Sequence, residues 1–177
     1  MVFMEEARLM KQRIWFERAF QLGLPAEAFL EIRERVRGTP ARLEEKLRNV
    51  DSSILIARHG DGWSPQEHAG HLLDLEPLWA GRLDDLLAGR ERLRPADLTN
   101  RKTHEARHNR RAGEEILNEF RQTRLAIVAR LDTIDDETLR NSALHPRLEQ
   151  PMTITDLFFF VAEHDDHHLA TIHKLLA

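Results

Sequence analysis

The chain has 177 residues, 41% hydrophobic and 32% charged, with a net charge of −4; at about 150 residues per domain this is one soluble, globular unit spanning 1–177. It has no cysteine, which excludes disulfides, thiolate metal sites and Cys nucleophiles and points to a cytoplasmic address. There is no apolar run long enough to span a membrane and no charged-then-apolar leader, so neither a membrane nor secretion is expected, and the acidic balance argues against nucleic acid as a partner.

Met4 to Leu22 is predicted helical, with Ile14, Phe16, Phe20 and Leu22 as scattered apolar points. A second helical segment runs from about Ala26 to Val36, and residues 1–34 are read as an N-terminal helical extension. Gly38-Thr39-Pro40 then stops and restarts the chain, with Thr39 as a cap and Pro40 at the first helical position. The helix from Pro40 to about Ala57 carries Leu43, Leu47, Val50, Ile54 and Ile56. The segments flanking Gly38 can also be one kinked helix.

Gly60-Asp61-Gly62 breaks the chain. Ser64-Pro65-Gln66-Glu67 is a strong helix start, with Ser64 as cap and Glu67 able to reach back in a capping box. This helix runs to about Leu87. Its inward stripe holds His71, Leu72, Leu75, Leu78, Trp79, Leu83 and Leu86. Residues 90–111 form a long connection with eight Arg or Lys against three acids. A third core helix spans about Ala112 to Leu131. Asp135 to Pro151 is irregular, with room for a helical turn at Asp136–Arg140. The last helix starts at Thr153, with Asp156 as its third residue, and runs to the C-terminus.

Four amphipathic segments imply an all-α four-helix bundle. The 90–111 connection is long enough to cross the whole bundle. That lets the second and third core helices run parallel, giving an up-down-down-up order.

Ten histidines are the unusual feature of the composition. The apolar spacing 154, 157, 158, 161 of the last helix extends to His164, Asp165 and His168. At about 100° per residue, His164 and His168 share one face, one turn apart. His71 lies near the start of the second core helix on its apolar stripe. If that helix is antiparallel to the last one, His71 faces His164 and His168. Three neutral imidazoles from two helices make a metal site with positions open to water or substrate. Three separately satisfied core histidines are the alternative.

The stretch Gly62-Trp63-Ser64-Pro65-Gln66-Glu67-His68-Ala69-Gly70-His71, continuing to Glu76, and the stretch Glu163-His164-Asp165-Asp166-His167-His168-Leu169-Ala170-Thr171-Ile172 together resemble the DinB superfamily, of the DinB/YfiT-like metalloenzyme kind. Thr39-Pro40-Ala41-Arg42 and Met152-Thr153-Ile154 fit the same pattern, and the likeness covers roughly residues 35–177. The resemblance implies an up-down-down-up bundle, a homodimer, and a metal triad on His71, His164 and His168. Thr171 stands where the family often has Gln, which leaves that triad intact. The metals it implies are zinc or nickel. Some relatives are S-transferases or isomerases using a low-molecular-weight thiol, and many have no known activity.

His104-Glu105-Ala106-Arg107-His108 spells the zincin signature HExxH. It sits among Arg and Lys with no apolar stripe to bury it, so a solvated basic connection is the expectation. This segment can also border the cleft and attract an anionic substrate. His68 and His167 are candidates to surround the ligands. Asp74, Glu163 and Asp166 are candidates to accept the ligands' second N–H; Asp165 is a weaker one, because an uncompensated inward carboxylate is costly. Trp63, Trp79 and Phe158 to Phe160 read as core or interface, and His145 and His173 as structural or solvent-facing.

The expected function is a metal-dependent enzyme on a small molecule, either an S-transferase using a soluble thiol or a hydrolase. Its catalytic residues are not identifiable from the chain. The alternative is a non-catalytic, metal-stabilised helical dimer induced by stress. DNA binding through residues 90–111 is a third possibility, opposed by the net charge and the lack of a recognition helix.

Overall fold

The computed structural model describes residues 11–177. The first long helix, α1 (Phe29–Leu47), passes through Pro40 without a break. Pro40 has no N–H to donate to the Val36 carbonyl one turn back. The Arg124 guanidinium donates to that carbonyl instead, at 3.3 Å, so the expected stop and restart at Gly38-Thr39-Pro40 does not occur. The helix ends at Leu47, well before Ala57, and Asn49 turns the chain with a φ of 61°. A single turn, α2 (Ser52–Leu55), follows, capped by the Asp51 carboxylate.

The start of α3 (Pro65–Leu87) is the expected capping box: Glu67 N donates to Ser64 Oγ at 3.1 Å and Ser64 N donates to Glu67 Oε2 at 3.0 Å. The connection after it is not featureless. A short helix, α4 (Arg101–Ala106), stands between Asn100 and Arg107, both at φ 52°. The remaining long helices are α5 (Gly113–Leu131) and α6 (Ile154–Leu176). Thr153 caps α6, with Asp156 completing a second capping box. The irregular stretch before α6 holds a two-stranded antiparallel hairpin, β1 (Ser142–Leu144) and β2 (Pro151–Thr153), which helical patterning does not anticipate.

Side-chain pairs give the order of the bundle. Gln66 meets Arg111, Glu76 meets Arg124 and Asp84 meets Arg130, so α3 and α5 run parallel. Arg35 meets Glu163 and Arg42 meets Asp166, so α1 and α6 run parallel. Trp79 packs near Phe160 and His71 near His168, so α3 and α6 are antiparallel. The order is up-down-down-up.

The core is split into two layers. Val36, Trp79, Ile127 and Val161 belong to one, and Leu43, Leu72, Phe120 and Leu169 to the other. Between them every long helix contributes a buried polar side chain: Thr39, Glu76, Arg124 and Asp165. Arg124 donates to both carboxylates, and Thr39 Oγ1 donates to Asp165 at 2.7 Å. Asp165 is therefore fully compensated, by a cation from α5.

Of the N-terminal helix expected from Met4 to Leu22, residues 4–10 lie outside the described part. Residues 11–22 form only a 3-10 turn at Trp15–Glu17. Their apolar residues lack a helical period, and an irregular strap delivers what a rod cannot. Trp15 and Phe20 both reach Phe160 of α6, with ring centroids 5.2 and 4.9 Å away. Asp156 anchors the end of the strap through the N–H groups of Gly23 and Leu24. Among the described residues no helix is long and apolar enough to cross a membrane.

Candidate metal centre

Antiparallel packing of α3 on α6 brings His71, His164 and His168 together. Each offers a ring nitrogen within 4.8 Å of the others, and all three are buried. The Nε2 atoms of His164 and His168 are 3.2 Å apart. Burial is the main cause pushing His71 down to about 4 and His164 and His168 well below the usual histidine range, and neighbouring histidines add to it. At neutral pH the cluster is therefore uncharged, with lone pairs available to a cation.

Hydrogen bonding selects which lone pair His71 presents. Thr103 Oγ1 donates to Asp74 Oδ2 at 3.0 Å, since a carboxylate only accepts. The same hydroxyl lies 3.0 Å from His71 Nδ1, so it accepts the Nδ1 proton and leaves Nε2 free. Asp74 therefore does not accept the His71 N–H itself; it accepts from Thr103, the hydroxyl that His71 contacts. His108 Nε2 also bonds Asp74, at 2.8 Å. Burial opposes ionisation of Asp74, but His108, Thr103 and Lys102 outweigh it and hold the carboxyl below its usual range. The His108 ring lies so close to α3 that a Cβ on Gly70 would fall 2.2 Å from it.

His68 is also in place. Its Nδ1 is 2.8 Å from His168 Nδ1, on the side of that ring away from His164. His167 lines the cavity edge and contacts Gln12. Glu163 and Asp166 do not serve the cluster. Glu163 is held by Arg18 and Arg35, and Asp166 by Arg35 and Arg42, because positions 163 and 166 turn toward α1. The HExxH letters do not form a zincin site: α4 ends at Ala106, Arg107 is left-handed, His104 is exposed and His108 is buried against Asp74.

The cluster forms one end of a cavity of about 360 Å³. Its walls are mostly apolar. Trp63, Trp79 and Phe160, expected in the core or an interface, line it. The Trp63 ring stands 4.7 Å from His71. His145 also opens onto this space, whereas His173 is exposed. Residues 95–98 and Asn100 of the basic connection border the opening. Some cations of this connection are paired, Arg94 with Asp85, Arg92 with Glu149 and Arg111 with Glu119.

The fold is that of several solved structures. YfiT from Bacillus subtilis, described as a probable metal-dependent hydrolase with an unusual four-helix bundle topology, superposes with a TM-score of 0.76 at 21% identity, over 90% of this chain and 91% of that one. A Streptococcus pneumoniae protein superposes with a TM-score of 0.64 at 12% identity, over 89% of this chain and 91% of that one. The mycothiol-dependent maleylpyruvate isomerase gives 0.62 at 15% identity, over 83% of this chain and 60% of that longer one. No curated protein matches the sequence. The profile of one sequence family matches residues 13–172, nearly the whole bundle, and by that match the chain belongs to the DinB superfamily.

Proposed function

We propose that this protein is a metal-dependent enzyme acting on a small organic molecule, with a divalent transition metal, zinc or nickel, held by His71, His164 and His168. The observation that carries this reading is the convergence of three buried, neutral imidazoles on the wall of a mostly apolar cavity. The donor set fits such a cation. Two Nε2 atoms at 3.2 Å can share a neutral N–H···N hydrogen bond or converge on one ion, and burial keeps both rings in the neutral form that ligates. His68 approaches His168 from its opposite nitrogen, so it orients that ring and does not close the ligand set. Three protein ligands and an adjoining cavity match an open site, not a purely structural one.

When bound, the metal supplies Lewis acidity toward a carbonyl oxygen, a water or a thiol. The chain's residues do the rest. Thr103 and Asp74 hold His71 in one tautomer, His68 packs against the far nitrogen of His168, and Trp63 and Trp79 line the cavity beside the histidines. No cysteine is present, so the nucleophile is water or a soluble low-molecular-weight thiol. The similar solved structures include one described as a probable metal-dependent hydrolase and one named a mycothiol-dependent isomerase. A cytoplasmic homodimer belongs to the same reading. Nucleic acid does not, because the chain as a whole carries a net charge of −4.

Elemental analysis of protein purified without affinity-tag metal tests the proposal. Stoichiometric zinc or nickel is expected in the parent protein and its loss in His71→Ala, His164→Ala and His168→Ala. Equal metal content in all four proteins would remove the site. Turnover of a reactive electrophile is then compared with and without a bacterial thiol, with His71→Ala as control. Thiol-independent turnover would leave hydrolysis and exclude the transferase.

A further inference from the structure

The cavity carries a second polar group that the proposed metal chemistry does not use. Arg82 of α3 is only 2% exposed. Its Nε donates to the Arg94 carbonyl at 3.1 Å, and its Nη1 lies 3.1 Å from His145 Nε2. The opposite nitrogen of His145, Nδ1, faces the backbone N–H groups of Arg147 and Leu148 at 3.2 and 3.1 Å. A neutral imidazole carries one proton. Placed on Nδ1, that proton meets two N–H donors. Placed on Nε2, it meets a guanidinium N–H. Two donors against one favour Nδ1 as the acceptor, so His145 Nε2–H and Arg82 Nη1–H point at one another with no acceptor between them.

Arg147 adds a third donor. Its guanidinium lies over Phe16 and Phe160, 5.4 and 6.0 Å from the ring centroids. Its Nη2 is buried without a hydrogen-bond partner. Among the described residues neither Arg82 nor Arg147 pairs with a carboxylate. The one acid of the cavity wall, Asp97, is taken by Thr99 and the N–H of Arg101. A buried cation, a buried unpartnered guanidinium nitrogen and opposed donors are costly by themselves. The group that satisfies all of them at once is an anion.

We propose that Arg82, His145 and Arg147 form an anion-binding subsite for the carboxylate or phosphate head of a small organic substrate. The apolar body of that substrate lies along Trp79 and Phe160. The Trp79 ring is 5.6 Å from the Arg82 guanidinium carbon and 5.8 Å from the His164 ring, so a single indole separates the two polar ends. The inference rests on the proposed function only in placing the reacting end at the histidines.

Tryptophan fluorescence reports on the cavity through Trp15, Trp63 and Trp79. The full chain is titrated with phenylacetate, with phenylphosphonate, and with neutral phenylacetamide. At least one anion is expected to bind about tenfold more tightly than the amide, and the better of the two identifies the head group. Arg147→Met is expected to abolish that preference while keeping its metal. Arg82→Met is expected to do the same, and Arg147→Met stands alone if the deeper variant does not fold. His168→Ala is expected to lose metal and keep the preference. Anions binding no better than the amide, or unchanged anion binding in Arg147→Met, would overturn the subsite. So would loss of the preference together with metal in His168→Ala, which would place the anion on the metal. Retention of metal by His168→Ala would instead remove the metal reading and leave the subsite standing.

Discussion

Thr103 does not line the cavity, yet its hydroxyl decides which nitrogen of His71 is free. It accepts from Nδ1 and donates to Asp74, and that chain of partners would hold the ring still for the proposed metal. Thr103→Val removes the acceptor and keeps the shape. It is expected to weaken metal affinity by about 10- to 100-fold with little change in thermal stability before metal is added. Thr103→Ser is expected to restore most of the affinity, which a purely steric role for the side chain would not require. Competition with a chromophoric chelator measures both, and equal affinities for parent and Thr103→Val would refute the relay. His164 and His168 were recoverable from the sequence because four residues are one helical turn, and His71 because a capping box fixes where its helix begins. Thr103 and His108 were not. They come from a connection with no hydrophobic period, and their contact with Asp74 depends on the two left-handed residues that bracket α4. Arg82 and Arg147 escaped for a related reason: a single arginine on a helix or in a loop looks solvated until the neighbouring chain closes over it.

Arg124 keys α5 to the other three long helices. It ties Glu76 of α3, Asp165 of α6 and the carbonyl that Pro40 leaves open in α1. Burial raises Glu76 above its usual carboxyl range even with Arg124 opposing it. In Arg124→Met two buried carboxylates lose their cation, with an expected loss of about 3 to 5 kcal/mol at pH 7 in urea unfolding. A carboxyl whose folded pKa lies above its unfolded value binds more protons when folded. Its favourable contribution is present at low pH and lost as pH rises through the folded value. The deficit of Arg124→Met is therefore expected to shrink as pH falls from 7 toward 5, and a deficit that grows over this range would contradict the assignment. The same residue explains where helix reading succeeds and fails. Starts at Ser64 and Thr153 depend on local caps and appear in the sequence. The continuation of α1 through Pro40 depends on a side chain more than eighty positions away, and the strap at Trp15 depends on α6; neither leaves a local signature.

The bundle is held by apolar layers above and below the ionic layer, while the histidine cluster costs stability until something satisfies it. Neutral imidazoles facing one another lose hydration, and His164 Nδ1 is buried without a partner among the described residues. A ligand that binds only the folded chain raises stability by mass action, about 2.7 kcal/mol at a hundredfold excess over Kd. For a chain of this size that corresponds to a rise in Tm of roughly 5 to 10 °C. Differential scanning fluorimetry with zinc or nickel chloride is expected to show that rise in the parent protein, to show it undiminished in Arg147→Met, and to show no rise in His168→Ala. An equal rise in His168→Ala would mean that the metal acts through other histidines. Repeating the melts across a range of protein concentrations tests the homodimer by the same linkage: coupled association raises Tm with concentration whether or not metal is present, and an invariant Tm would place all of the stabilisation within one chain.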